Sequence, residues 1–388
     1  MKITGVETFL CDAYRTNWVF VKVTTDQGLH GWGEATLESR ELTVAQAVQE
    51  LEPGLLGQDP MDIEKFWYRG YRDAYWRGGP VLMSALSGVD MALWDITGKA
   101  LGVPVHRLLG GKVRDAAPCY LNGWFTPAKV PEEFAEKAKT LAGSGFHGLK
   151  WDPFGRAWLS LSPSQLDRAV SCVEQVREAV GSAMPLMIEG HGRFDIPTAL
   201  RIGKRLDEFG VFWFEEPIPP DNLPGLADLR SRMGVSLAAG ERLYNRYDFR
   251  DFFRLGCGDY VQPDVCHAGG ISELRKIANM AEAFHIPFCP HNPNGPVANA
   301  ATLQVVAAAP NFYLLETMLN DVPHRGEVCD EELVIRDGEM LIPDRPGLGI
   351  EVNQEALAKY PYQPHPLRHY GDDLTDIRPS LAKNYYKM

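Results

Sequence analysis

Residues 185–242 read PLMIEGHGRFDIPTALRIGKRLDEFGVFWFEEPIPPDNLPGLADLRSRMGVSLAAGER. Within them three short apolar runs, PLMIEGHG (185–192), VFWFEEP (211–217) and SLAAGER (236–242), alternate with longer amphipathic segments, and each run carries a glutamate near its end. Short apolar runs separated by helical periodicity read as buried parallel strands joined by right-handed helical crossovers. The alternation continues upstream through APCYLNG (117–123) and GFHGLKWD (145–152), and downstream through DYVQPD (259–264), PFCPHN (287–292) and FYLLETM (312–318). Eight such strands predict a β/α barrel. An open doubly wound sheet would give a similar string, but polar residues recur at nearly every strand's C-terminal end, the face on which barrel active sites collect.

Helix signals between the strands agree. Ser162 as N-cap and Pro163 at the first position predict a helix with Leu166, Ala169, Val170, Val173, Val176 and Val180 along one face. Another is expected to begin at Ser272, with Leu274, Ile277, Ala281 and Phe284 at the same spacing. Ahead of the barrel, NWVFVKVTT, then Asp26-Gln27-Gly28, then LHGWGEA read as a β-hairpin, followed by the helical SALSGVDMALWDITGKALG. Residues 1–116 are therefore expected to form an α+β unit and 117–327 the barrel. Residues 328–388, with LVIRDGEMLIP and DRPGLGIEV but no further strand-helix repeat, are expected to return to the first unit.

The chain's 388 residues exceed the size at which one core stops growing, in keeping with two packed units. With 45% hydrophobic and 23% charged residues, no segment reaches the apolar length of a membrane helix. A net charge of −12 without a basic run argues against nucleic acid, whose phosphates are met by clustered Lys and Arg. The opening MKITGVETFL has no secretory pattern, and the seven cysteines form no CxxC pair, so a cytoplasmic protein with reduced, buried thiols is expected.

Lined up by strand, the polar ends are Lys150 and Asp152, Glu189 and His191, Glu215 and Glu216, Glu241, Asp264, His291 and Glu316. Residues two apart on a strand share a face, so Lys150 with Asp152, and Glu189 with His191, should enter the barrel mouth as pairs. Glu189, Glu215 and Glu241 recur every 26 residues at the ends of adjacent strands, which lie about 4.8 Å apart. Carboxylates forced that close repel one another, and an all-oxygen set selects a hard divalent cation, magnesium before manganese. Neighbours on a strand point oppositely, so Glu215 and Glu216 cannot both face inward, and parity does not choose between them. Asp264 and His291 end consecutive strands, where a carboxylate would fix the imidazole tautomer and raise its basicity, the preparation of a general base. His267 lies beyond its strand end and reads as structural.

At this point the motifs SGVDMALWDITGKALGVPVHRLLGG, WFEEP, AAGER, QPDVCHAGGI, CPHNPNGP, LLETM and PGLGIEV, in this order over nearly the whole chain, resemble the mandelate racemase subgroup of the enolase superfamily. The resemblance implies a capping domain, completed by the C-terminal tail, over a modified (β/α)7β barrel. It implies Glu189, Glu215 and Glu241 as ligands of Mg²⁺, with the first glutamate of the Glu215-Glu216 pair chosen. It further implies His291 as base with Asp264, and Glu316 as a hydrogen-bonding carboxyl near the substrate. VKVTTDQGLHGWGE, YWRGGPVLMSALSG, EGHGR and GERLYNRYDF look most like the D-galactonate dehydratases, in which the position of His191 holds the acid that protonates the departing hydroxyl. Two departures stand out: the first ligand is usually aspartate there, and Lys150-Trp151-Asp152-Pro153 differs from that group's second-strand end.

The expected activity is a Mg²⁺-dependent dehydration of a small-molecule sugar acid. His291 takes the proton α to the carboxylate, Mg²⁺ and Lys150 stabilise the ene-diolate, and His191 supplies the proton that lets the β-hydroxyl leave, giving a 2-keto-3-deoxy acid. Asp152, Arg15, Trp18, Trp76 and Arg77 are the expected substrate-binding residues, with domain-interface packing the alternative for the four in the cap. A homo-oligomer, dimer or octamer, is expected. The rival readings are a racemase, epimerase or cycloisomerase with Lys150 as a second base, and a barrel that binds without catalysing.

Overall fold

The computed structural model describes residues 1–318, 322–329 and 333–365. Strands β1 (Ile3–Asp12), β2 (Asn17–Thr25) and β3 (His30–Glu34) form an antiparallel sheet in that order. β2 and β3 are the predicted hairpin, and β1, unmarked by the sequence pattern, pairs with β2 along its length. Helices α1 (Glu41–Leu55) and α2 (Ile63–Tyr68) are followed by α3 (Pro80–Leu101), which lies against the sheet and buries most of its residues. α4 (Val105–Leu108) leads into the barrel.

The barrel runs β4 (Ala116–Asn122), α5 (Pro131–Leu141), β5 (Leu149–Trp151), α6 (Pro163–Val180), β6 (Leu186–Glu189), α7 (Ile196–Asp207), β7 (Trp213–Glu215), α8 (Leu223–Arg232), β8 (Ser236–Ala239), α9 (Arg246–Leu255), β9 (Tyr260–Val261) and α10 (Gly270–Ala283). The seventh strand, around 288–291, is held by parallel bridges from Phe288 to Val261 and Phe312 and from His291 to Asp264. After α11 (Pro296–Ala308), β10 (Leu315–Met318) pairs parallel with β4 and closes the ring, so the architecture is (β/α)7β with an N-terminal cap. α6 begins as its sequence signals require, Ser162 and Gln165 exchanging a capping box. Among the described residues no helix is long and apolar enough to cross a membrane, and all seven cysteines are buried.

The chain after 328, expected to return whole to the first unit, divides. Beyond α12 (Arg325–Val328), β11 (Ile335–Arg336) and β12 (Glu339–Leu341) make a hairpin that extends the barrel sheet antiparallel to β4. From there the chain goes back to the cap: Leu348 N–H donates to Asp95 at 2.8 Å, Pro361 bridges Cys11, and α13 (Gln354–Leu357) touches β1. Residues 366–388 of the predicted tail lie outside the described residues.

Glu351 fastens this returning segment. Its carboxylate accepts from Trp32 Nε1 and from Lys99 Nζ at 2.8 Å, and meets His30. Partial burial opposes its charge, yet the hydrogen bonds from His30, Lys99 and Trp32, with the Lys99 charge, hold its carboxyl down to about 2. A carboxyl depressed in the folded state contributes stability above its unfolded pKa and loses it as pH falls through the folded value. Glu351→Gln is therefore expected to lower the urea midpoint near neutrality, and the gap from the parent should close between about pH 4 and pH 2. A gap of constant size across that range would show that the carboxylate's charge is not what fastens the tail.

Cap and barrel are joined by buried acids at helix starts. Glu34, ending β3 and fully buried, accepts the N–H groups of Gly295 at 2.7 Å and Ala298 at 2.9 Å at the start of α11. Asp90 of α3, also buried, accepts Ser272 N–H at 3.0 Å and its hydroxyl at the start of α10. Helix N-termini carry unsatisfied donors and a positive dipole end, so acids are favoured there. This is why α10 starts at Gly270 and not at the predicted Ser272: its cap comes from another domain. A Cβ at Gly270 would stand 2.3 Å from Asp90 Oδ2, and one at Gly295 2.5 Å from Glu34 Oε1, so both positions need glycine.

Candidate active site at the barrel mouth

The parallel register places the strand ends side by side. Glu189 is paired opposite Glu215 between β6 and β7, and Lys150 opposite Met187 between β5 and β6. Carboxylate oxygens of Glu189, Glu215 and Glu241 lie within 4.8 Å of one another. Glu189 and Glu215 are buried, whereas Glu241 keeps some exposure toward the opening. The parity question is resolved by a twist in the backbone: Glu216 has φ +36° and turns its carboxylate to Arg242, 2.7 Å from Nε. Glu215 points inward, its Oε1 accepting from Lys150 Nζ at 2.8 Å and its Oε2 from Trp213 Nε1 at 3.1 Å.

Lys150 is buried among carboxylates, with Glu316 at 3.0 Å and Glu189 at 3.6 Å besides Glu215. Burial works against its charge, but Glu215 and Glu316 hold its ammonium well above the ordinary lysine range. One ammonium does not balance the cluster: burial and the Glu215 charge push the Glu189 carboxyl well up. Three converging carboxylates and no nitrogen or sulfur donor form a set that suits a hard divalent cation. The family-implied Mg²⁺ thus fits the donor chemistry of these residues.

His291 Nδ1 is 2.7 Å from Asp264 Oδ2. Asp264 is fully buried and also accepts from Cys266 N at 2.6 Å and Asn294 Nδ2 at 2.8 Å, which leaves it no freedom to turn. The other imidazole nitrogen, Nε2, lies 3.2 Å from Glu241 and 3.9 Å from Glu316. Burial disfavours the imidazolium, yet Glu241, the Asp264 bond and Glu316 raise His291 to about 9. Glu316 is itself oriented by Asn122 Nδ2 at 2.8 Å and Asn292 N at 3.1 Å.

His191 sits across the mouth: it follows β6, the third barrel strand, while His291 ends the seventh. Its Nδ1 is 2.7 Å from Asp152 Oδ2, and its backbone N–H donates to Glu189 Oε1 at 2.7 Å. Asp152 is buried, and Arg193 grips it from the far side. Arg193 lies within EGHGR, yet no local pattern marks its role, nor those of Asn122, Asn292 and Asn294. Short polar residues that act only through a partner distant in the chain leave no local signal.

The structure thus brings Lys150, Asp152, Glu189, His191, Glu215, Glu241, Asp264, His291 and Glu316 together. The cap residues do not all join them. Trp18 is buried on β2 of the cap, with the Arg325 guanidinium 5.0 Å from its ring, and packs as the domain-interface alternative has it. Trp76 is 80% exposed and stacks edge-on to Tyr75; Arg77 is exposed over the Tyr71 ring; Arg15 is part-exposed in the turn between β1 and β2. His267, read as structural, bonds through Nδ1 to Ser84 Oγ of α3 at 3.0 Å.

Known proteins share this chain's sequence and fold over most of its length. Residues 7–110 match the mandelate racemase/muconate lactonizing enzyme N-terminal domain, and residues 133–356 match the enolase C-terminal domain-like family. A D-galactonate dehydratase of Pectobacterium atrosepticum is 39% identical over 92% of this chain and 94% of its own. A D-gluconate dehydratase of Thermoproteus tenax is 36% identical over 89% of this chain and 70% of its own. The crystal structure of a mandelate racemase/muconate lactonizing enzyme-like protein from Rubrobacter xylanophilus superposes with a TM-score of 0.86 at 36% identity, covering 94% of this chain and 98% of that one.

Proposed function

The chain belongs to the mandelate racemase/muconate lactonizing enzyme family of the enolase superfamily, and on that premise we propose that it is a Mg²⁺-dependent sugar-acid dehydratase, with D-galactonate and D-gluconate the first substrates to test. One observation supports this above all. Two imidazoles face each other across the carboxylate trio, each with Nδ1 2.7 Å from a buried aspartate. An acid and a base on opposite sides of one bound substrate are what elimination of water demands.

Glu189, Glu215 and Glu241 would hold Mg²⁺, which when bound supplies positive charge for a carboxylate and for the enediolate derived from it. His291 takes the α-proton at Nε2 while Asp264 keeps the other nitrogen's proton in place. Glu241, 3.2 Å from His291 Nε2, would be one of the ligands of the bound cation, whose positive charge would offset the carboxylate's pull on the imidazole proton. Lys150 donates to the growing negative charge from a fixed position. His191 gives its proton to the β-hydroxyl; the C–O bond breaks, water departs, and the enol tautomerises to the 2-keto-3-deoxy acid. A racemase reading would need Lys150 to serve as a second base, and an ammonium so held among carboxylates is poorly suited to accept a proton. Uniformly buried thiols favour a reducing cytoplasm, and a homo-oligomer completes the reading.

The test is His191→Asn. Keto-acid formation from D-galactonate is expected to fall about 10²- to 10⁴-fold, the usual share of one acid-base group. Exchange of the α-proton with deuterium oxide, followed by proton NMR, should continue. A loss of both would end the assignment of His191 as acid.

A further inference from the structure

The side chain of Asp152, expected to bind substrate, has no acceptor left to offer. A carboxylate presents about four lone-pair positions, and three donors make four contacts with it. Phe154 N is 2.8 Å from Oδ1; Arg193 NH2 reaches Oδ1 at 2.6 Å and Oδ2 at 2.5 Å; and His191 Nδ1 is 2.7 Å from Oδ2. Arg193 is only 1% exposed and is itself pinned, NH1 donating to Gly155 O at 2.6 Å and Nε to Gly190 O at 3.2 Å. Its guanidinium also lies 5.9 Å from the Phe154 ring centre and 5.6 Å from that of Phe194.

The backbone is bent to make this meeting occur. His191 has φ +48°, in the left-handed region that residues with a side chain seldom adopt. That conformation turns its N–H to Glu189 and its ring to Asp152 at once. The two imidazole-aspartate pairs at the mouth therefore differ in how their aspartates are held. Asp264 is secured by an amide and a backbone N–H, Asp152 by a buried arginine.

We propose that Asp152, clamped by Arg193, is a positioning residue that fixes the His191 imidazole with Nδ1–H toward the carboxylate and Nε2 toward the substrate, and so commits the shared enolate to loss of water. The inference rests on His191 being the acid, as set out above. It assigns a purpose to Lys150-Trp151-Asp152-Pro153 and to Arg193 of EGHGR: segments 41 residues apart at their contact build one acid.

Asp152→Asn tests it in the full-length, Mg²⁺-loaded enzyme. The isosteric amide would donate to Nδ1 instead of accepting, and so would hold the wrong tautomer. Dehydration is expected to fall about 10²- to 10⁴-fold, with α-proton exchange and KM each changed less than about threefold. The His191 ¹⁵N signals should report the switched tautomer. A rise in KM with exchange and dehydration falling together would make Asp152 a substrate ligand and overturn the proposal, as would dehydration kept within about threefold of the parent. Arg193→Lys is the second variant: it keeps the charge, loses the fork, and is expected to show the same one-sided loss in smaller degree. His191→Asn runs alongside. If it loses dehydration and Asp152→Asn does not, the positioning role alone falls; if it retains dehydration, the acid assignment beneath it falls.

Discussion

Replacing His291 by asparagine is expected to stop α-proton exchange and keto-acid formation together, each by about 10²- to 10⁴-fold or more. The expectation follows from where the ring sits. Nδ1 is committed to Asp264 at 2.7 Å, and Asp264 is buried with two further donors that prevent it from turning away. Only Nε2 is turned to the carboxylate cluster, and among the described residues no second base stands on that side: Glu316 accepts from Asn122, Asn292 and Lys150, and Glu241 belongs to the trio. Asparagine can keep the Asp264 hydrogen bond, so the fold should survive and the loss should be chemical. The measurement is substrate deuteration by NMR beside product formation. Exchange that persisted in His291→Asn would move the base elsewhere, with Lys150 the first suspect.

The second large effect is expected from Glu215→Gln. Glu215 is the most enclosed of the three glutamates, fully buried, with both oxygens already aimed by Lys150 and Trp213. Loss of its charge should weaken Mg²⁺ binding in calorimetry by at least about 100-fold, beyond the effect usual for groups that merely support a ligand. Dehydratase activity should fall with it, and chelation of the parent enzyme should reproduce the loss until Mg²⁺ is restored. Glu216→Gln is the control. Its carboxylate is turned to Arg242, so Mg²⁺ affinity should hold within about tenfold. Equal Mg²⁺ affinity in Glu215→Gln and the parent would remove the trio from consideration as a metal site.

The barrel was legible because its period is repeated. Each apolar run is short, each helix between them shows its face, and the glutamates at 189, 215 and 241 keep equal spacing, so a local reading extends around the ring. Ser162, Gln165 and Pro163 mark the start of α6 within four residues, a signal entirely local. What escaped was non-local. The cap that starts α10 is Asp90, so Ser272 looked like the boundary from sequence. Trp18 lies on a strand buried on both faces, between the cap helices and the barrel, and alternation does not tell which face meets substrate. β1 has an irregular burial pattern, and β11 and β12 joined the barrel through pairing with a strand more than 200 residues away. Asp152 lies beside His191, but the arginine that occupies it was not visible from spacing.

The acids Glu34 and Asp90 have an architectural consequence. Asp264 and His291 lie on two short connections, each anchored at one end by a barrel strand and at the other by a helix whose first turn is held from the opposite domain. The base is thus assembled jointly, and the lid is also part of its chassis. A transplanted lid from an unrelated barrel would have to bring a carboxylate to each of these two helix starts before it could alter specificity, and the glycines at 270 and 295 leave room for little else. Variation in this scaffold should therefore accumulate in solvent-facing segments of the cap, such as those around Arg15 and Trp76, while the two carboxylate pegs stay fixed.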